Sequence, residues 1–165
     1  MMRFIAAVDK NWGIGKDGKL LVSIPNDLKN FKELTMGGTV ILGRKTLDTF
    51  PGGKPLPGRI NIILSKNPKF KVENARVVNS VEEAVEIASA LENVWVIGGA
   101  SIYKAFMPYC DEAVITKINY AYEADSFIEN LDESEDWIIT DISDEMTSFD
   151  LEYRFVTYKR KNNDE

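Results

Sequence analysis

Val94-Trp95-Val96-Ile97-Gly98-Gly99-Ala100-Ser101-Ile102-Tyr103 joins four apolar residues to a pair of glycines and then to a helix-forming run. The apolar stretch has the length of a buried strand, the glycines break it, and Ser101 to Phe106 reads as a helix. A strand that feeds directly into a helix is the repeating unit of an α/β sheet. The same junction occurs earlier, where Thr39 to Leu42 meets Gly43-Arg44 and a short helical stretch runs to Phe50. Working outward, Phe4 to Val8, Asn61 to Leu64, Arg76 to Val78 and Ala113 to Ile118 are further short apolar strands. After Pro25, Leu28, Phe31 and Leu34 fall at helical spacing, with Asp27 in the first turn. Ser80 caps another helix, with Glu83 at capping-box spacing and Ala84, Val85, Ile87, Ala88 and Leu91 on one face. Trp137 to Asp141 and Tyr153 to Tyr158 are strands without intervening helices, which predicts antiparallel additions to a mostly parallel sheet. Pro51 to Gly58 is a proline- and glycine-bound loop, Gly13 to Gly18 a long mobile one, and KRKNNDE a frayed end.

A chain of 165 residues suits one domain spanning 1–165. Its 44% apolar and 28% charged residues exclude disordered and disulfide-scaffold classes. A net charge of −6 offers no general attraction to nucleic acid or anionic membrane. There is no histidine, so Ser-His-Asp triads, imidazole acid–base chemistry and histidine metal sites are excluded, and no metal site is expected. The single Cys110 forbids an internal disulfide and suits a reducing cytoplasm. The apolar run before Asp9 is too brief for a signal peptide or membrane span. Proton chemistry therefore falls to carboxylates, lysine, tyrosine or water.

Three glycine signals follow strands. Gly13-x-Gly15-x-x-Gly18 matches a dinucleotide fingerprint formally, but Pro25 arrives before any apolar helix, so a flexible loop is the better reading. Gly43-Arg44-Lys45-Thr46 places two cations and a hydroxyl at a helix start, which is either a phosphate site or a solvated terminus. Gly98-Gly99 allows close approach of a ligand to the backbone, or simply a tight turn. Two such junctions at strand C-termini suggest a dinucleotide-sized ligand. Asp27, among Ile24, Pro25 and Leu28, either complements the helix dipole or is a cleft carboxylate with a raised pKa. Trp95 reads as core, and Glu129 to Asp136 as a solvated acidic loop.

Taken in order along the chain, several segments resemble bacterial dihydrofolate reductases. They are Ile5-Ala6-Ala7, Ile14-Gly15, Ile24-Pro25-x-Asp27-Leu28-x-x-Phe31, Gly43-Arg44-x-Thr46 and Leu56-Pro57-Gly58-Arg59-x-Asn61. They continue with Leu64-Ser65, Val96-Ile97-Gly98-Gly99-x-x-Ile102-Tyr103, Thr116 and Asp125-x-Phe127. The resemblance implies a three-layer α/β fold with a mostly parallel eight-stranded sheet, an antiparallel C-terminal strand and four flanking helices. It implies NADPH-dependent reduction of 7,8-dihydrofolate, with hydride to C6 and a proton to N5 of the pterin. It also implies binding of antifolate inhibitors, and a monomer is expected.

In family terms Asp27 is the acidic residue at the pterin edge, supported by Thr116, while Ile5 and Ile97 offer backbone carbonyls. Leu28, Phe31, Phe50 and Leu56 would wall the substrate rings, and Arg59 would clamp the glutamate α-carboxylate. For NADPH the family positions are Ala7, Ile14, Gly15, Leu20, Gly43, Arg44, Lys45, Thr46, Leu64, Ser65 and Lys66. They continue through Ile97, Gly98, Gly99, Ala100, Ser101, Ile102 and Tyr103, with the Gly98-Gly99 peptide cis. Asp9 to Ser23 corresponds to a mobile lid. Leu21-Val22 stands where many members carry Pro-Trp, and Ser101 where some carry arginine.

Overall fold

The computed structural model describes residues 1–161. Strands β1 (Met2–Val8), β4 (Thr39–Gly43), β5 (Ile60–Leu64), β6 (Arg76–Val78), β7 (Val94–Gly98) and β8 (Glu112–Ile118) run parallel. Strand β12 (Leu151–Arg160) adds antiparallel to β8, and β10 (Trp137–Ile142) antiparallel to β12. Along the sheet the order is β10-β12-β8-β1-β7-β4-β5-β6, eight strands, with β11 (Met146–Ser148) paired to β12 beside this path.

Period-two alternation buries both faces of the central strands. On β1, Phe4, Ala6 and Val8 face one layer and Ile5 the other; on β7, Val94 and Val96 oppose Trp95 and Ile97. The first layer holds α3 (Val81–Ser89) through Ala84 and Ala88, and α4 (Ala100–Phe106) through Tyr103 and Phe106. The second holds α1 (Pro25–Thr35) through Phe31 and Leu34, and α2 (Arg44–Leu47) through Leu47. Ser80 Oγ accepts from Glu83 N as the spacing predicts. The reciprocal Glu83 carboxylate, however, accepts from Asn79 N, one residue further out.

Three expectations need correction. The glycine-rich segment is not an irregular loop: β2 (Gly13–Lys16), β3 (Lys19–Leu20) and β9 (Ser126–Phe127) form a separate three-stranded sheet. Asp17 and Gly18, both at positive φ, make the two-residue hairpin turn that an Asp-Gly pair favours. Gly13 is needed for proximity, since a Cβ there would stand 2.5 Å from the Ala124 Cβ. The acidic stretch contains a short 3₁₀ turn, Leu131–Glu133, in which Leu131 is buried and Asp132 accepts from Lys117 Nζ and the Tyr158 hydroxyl. Lys159 and Arg160 belong to β12. Arg160 donates to the Met107 and Cys110 carbonyls and covers Trp137, so only residues 162–165 of the expected frayed end lie outside the described chain. Burial of Cys110 pushes its thiol up to about 12, consistent with a packed residue and not a nucleophile.

Candidate active site

The C-terminal ends of β1, β4, β5 and β7 open into a cleft of about 980 Å³. That is where open α/β sheets hold ligands, beyond the carboxyl ends of the parallel strands. Ala7, Gly43, Leu64, Ile97, Gly98 and Gly99 come from strand ends, and Arg44, Lys45 and Thr46 from α2. Ser65 and Lys66 follow β5, and Ala100, Ser101, Ile102 and Tyr103 belong to α4. Ile14, Gly15 and Leu20 reach over from the β2–β3 hairpin. Every residue expected to bind the cofactor therefore lines one cleft. The Gly98-Gly99 peptide is cis. Strand pairing shifts here, with Ile41 opposite Val96 but Leu42 opposite Gly98, which leaves Ile97 without a β4 partner. At Gly43 a Cβ would stand 3.0 Å from Ile102 Cγ1, so a side chain there would require Ile102 to give by a few tenths of an ångström.

Beside this cleft lies a second group of expected residues. Asp27 sits in the first turn of α1, and its Oδ1 accepts from the buried Thr116 hydroxyl of β8 at 2.5 Å. Ile97 packs against two clusters, one with Ile5 and Phe31, the other with Phe50 and Leu56. Thr116 thus reaches Asp27 because α1 crosses the sheet face shared by Ile5, Val114 and Ile97. Leu28 is 48% exposed, an apolar side chain offered to solvent on the same helix. Arg59 is half-buried, donating from Nη1 to Thr35 Oγ1 at 3.2 Å and from Nε to the Pro57 carbonyl at 3.0 Å. Among the described residues no carboxylate pairs with it, and burial lowers its pKa.

A family model described as dihydrofolate reductase matches residues 1–160. The chain belongs to the dihydrofolate reductase family. It is 38% identical over 165 aligned residues to dihydrofolate reductase of Bacillus subtilis, covering 98% of this chain and 96% of that protein. Identity to the Staphylococcus haemolyticus dihydrofolate reductase is 36% over 162 residues, covering 94% and 93%. Among solved structures, dihydrofolate reductase from Enterococcus faecalis complexed with NADP(H) and RAB-propyl superposes with a TM-score of 0.89. It has 36% identity and covers 98% of this chain and 97% of that one.

Within this dihydrofolate reductase fold some site features escaped sequence reading. Tyr103 was expected only on the cofactor side, yet its buried hydroxyl donates to the Ile5 carbonyl at 2.7 Å. Asp9 is 3% exposed, and its carboxylate accepts from Asn11 N, Gly13 N and Tyr122 N, tying the start of the hairpin to the segment before β9. Lys19, Thr49, Asn67, Asn79 and Ser126 also line the cleft. The Asp17-Gly18 turn was the one sequence signal available for the hairpin; the others depend on long-range pairing.

Burial raises the Asp27 pKa, and the Thr116 hydrogen bond offsets this only in part. A carboxyl whose pKa is higher folded than unfolded destabilises the fold once ionised. The penalty grows as pH rises from the ordinary carboxylate range through the raised value, and stays in full above it. The ligand-free Asp27→Asn variant should therefore melt above wild type at pH 7, with the difference shrinking as pH falls through the raised value and gone below the ordinary carboxylate range. Thermal melts of both proteins across pH check this; a variant less stable at pH 7 would contradict it.

Proposed function

We infer that this protein reduces 7,8-dihydrofolate to 5,6,7,8-tetrahydrofolate at the expense of NADPH, as a single-domain monomeric enzyme of the cytoplasm that also takes antifolate inhibitors. The observation that carries the reading is the half-buried Asp27, held by Thr116, beside a cleft large enough for a dinucleotide. The cleft fits the phosphorylated cofactor: Arg44, Lys45 and Lys66 are exposed cations along it, without carboxylate partners among the described residues. Bound NADPH supplies the hydride delivered to C6 of the pterin.

The chain's own groups do the rest. Asp27 accepts the 2-amino and N3 edge of the pterin and keeps a proton available to N5, which a carboxyl with a raised pKa does better than an ordinary one. The Ile5 and Ile97 carbonyls bind the opposite edge; the Ile5 oxygen has a second lone pair beyond the one used by Tyr103. Leu28, Phe31, Phe50 and Leu56 exclude water from the rings, and Arg59 pairs with the glutamate tail. Leu20, Ile14 and Gly15 on the hairpin cover the nicotinamide side.

NADPH absorbance should fall only when dihydrofolate is added, and methotrexate should stop it. Consumption-free binding of NADPH in the presence of dihydrofolate would make the protein a binding module. Arg44→Ala should raise KM for NADPH far more than KM for NADH, because each charge-assisted hydrogen bond to the 2′-phosphate is worth about 1.5–3 kcal/mol. Equal effects on both cofactors would put the phosphate contact elsewhere.

A further inference from the structure

Of the cations along the cleft, Arg44 stands out because its guanidinium carbon lies 4.1 Å from the centroid of the Phe70 ring. Phe70 is half-buried and packs against the cluster of Val40, Leu42, Leu47 and Ile63, so the ring has a fixed seat. The turn that carries it is also fixed. Phe70 N donates to the Asn67 carbonyl at 3.1 Å, Lys69 N to Asn67 Oδ1 at 3.0 Å, and Asn67 N to Ser65 Oγ at 3.2 Å. Asn79 Nδ2 then ties the Ser65 carbonyl at 2.8 Å. Arg44, Ser65, Lys66 and Asn67 form the cleft wall, with Phe70 behind the guanidinium and not in the wall.

An aromatic face attracts a guanidinium through its quadrupole and occupies the flat side of the group. The edge N–H groups are left free in one plane, the arrangement that meets a phosphate with two parallel hydrogen bonds. An exposed arginine without such a platform loses side-chain freedom when it engages a ligand, which weakens binding. Exposed Arg44 has no carboxylate partner among the described residues to orient it instead.

We propose that Phe70 is a positioning residue for cofactor selection, acting through Arg44 by holding its guanidinium edge-on to the phosphate that distinguishes the phosphorylated dinucleotide. This rests on the reading that Arg44 meets the 2′-phosphate. Nothing in it requires Phe70 to touch the cofactor. The aromatic face is the functional property, so a same-class apolar side chain does not substitute for it.

The test compares wild type, Phe70→Leu, Phe70→Tyr, Arg44→Ala and the double variant F70L/R44A. Kd for NADP⁺ and for NAD⁺ is measured by calorimetry on the ligand-free protein, with KM and kcat for NADPH and NADH alongside. Phe70→Leu should weaken NADP⁺ about 3- to 10-fold, leave NAD⁺ and kcat at saturating NADPH unchanged, and add nothing in the Arg44→Ala background. Phe70→Tyr, which keeps the aromatic face, should behave as wild type. In the ligand-free protein the Arg44 Nε–H resonance should carry a ring-current shift that Phe70→Leu abolishes and Phe70→Tyr retains. The proposal is overturned if Phe70→Leu weakens both cofactors alike, or costs as much without Arg44 as with it, since the ring would then only support the loop. If Arg44→Ala itself fails to discriminate NADP⁺ from NAD⁺, the phosphate reading falls and takes the proposal with it. If Arg44→Ala discriminates and Phe70→Leu does not, only the role of Phe70 falls.

Discussion

Asp27→Asn lowers kcat at neutral pH by about 10²-fold or more, the usual scale for a positioned acid–base group, while NADPH binding survives. The substitution keeps the shape and an oxygen able to accept from Thr116, so the loss reports the missing proton and not a displaced helix. Hydride transfer to C6 needs N5 protonated, because otherwise negative charge develops on nitrogen. In wild type, activity falls as pH rises, the carboxyl having surrendered its proton above its raised pKa. In the variant that carboxyl step is gone, and part of the activity returns in acid, where solvent protonates the substrate directly. Single-turnover measurements across pH separate hydride transfer from product release. Near-normal hydride transfer at pH 7 in the variant would leave Asp27 as a helix-start carboxylate.

Arg59→Ala weakens dihydrofolate binding by about 2–5 kcal/mol, or roughly 30-fold and upward, because it strands a ligand carboxylate without its charge partner. Arg59 is suited to this pairing. Burial already disfavours its charge, Thr35 and the Pro57 carbonyl orient the guanidinium, and no carboxylate among the described residues neutralises it. A dihydropteroate substrate, which lacks the glutamate, should be nearly indifferent to the change. Titrating both ligands into both proteins gives the comparison. Equal losses would mean that Arg59 holds the Pro57–Arg59 turn against α1 instead of holding the ligand.

Much of the architecture was legible in the chain itself. Short apolar runs ending at Gly43 and Gly98, and the capped pattern from Ser80, carry enough local signal to place central strands and helices. Their order implies a parallel sheet because parallel neighbours need helical crossovers. The ordered motifs around Gly43 and Gly98 marked residues that line the cleft, and the one around Asp27 marked the carboxylate that Thr116 holds. Tertiary structure alone decided the rest. Gly13–Lys16 has no apolar alternation and becomes a strand only by pairing with Lys19–Leu20 and with Ser126–Phe127, the latter more than a hundred residues away. The Asp9 carboxylate is satisfied by a backbone N–H at Tyr122, and the Tyr103 hydroxyl by the Ile5 carbonyl. Phe70, in the connection between β5 and β6, finds Arg44 at the start of α2. Local sequence encodes periodicity and turn chemistry, whereas these contacts join groups that only chain packing brings within bonding distance.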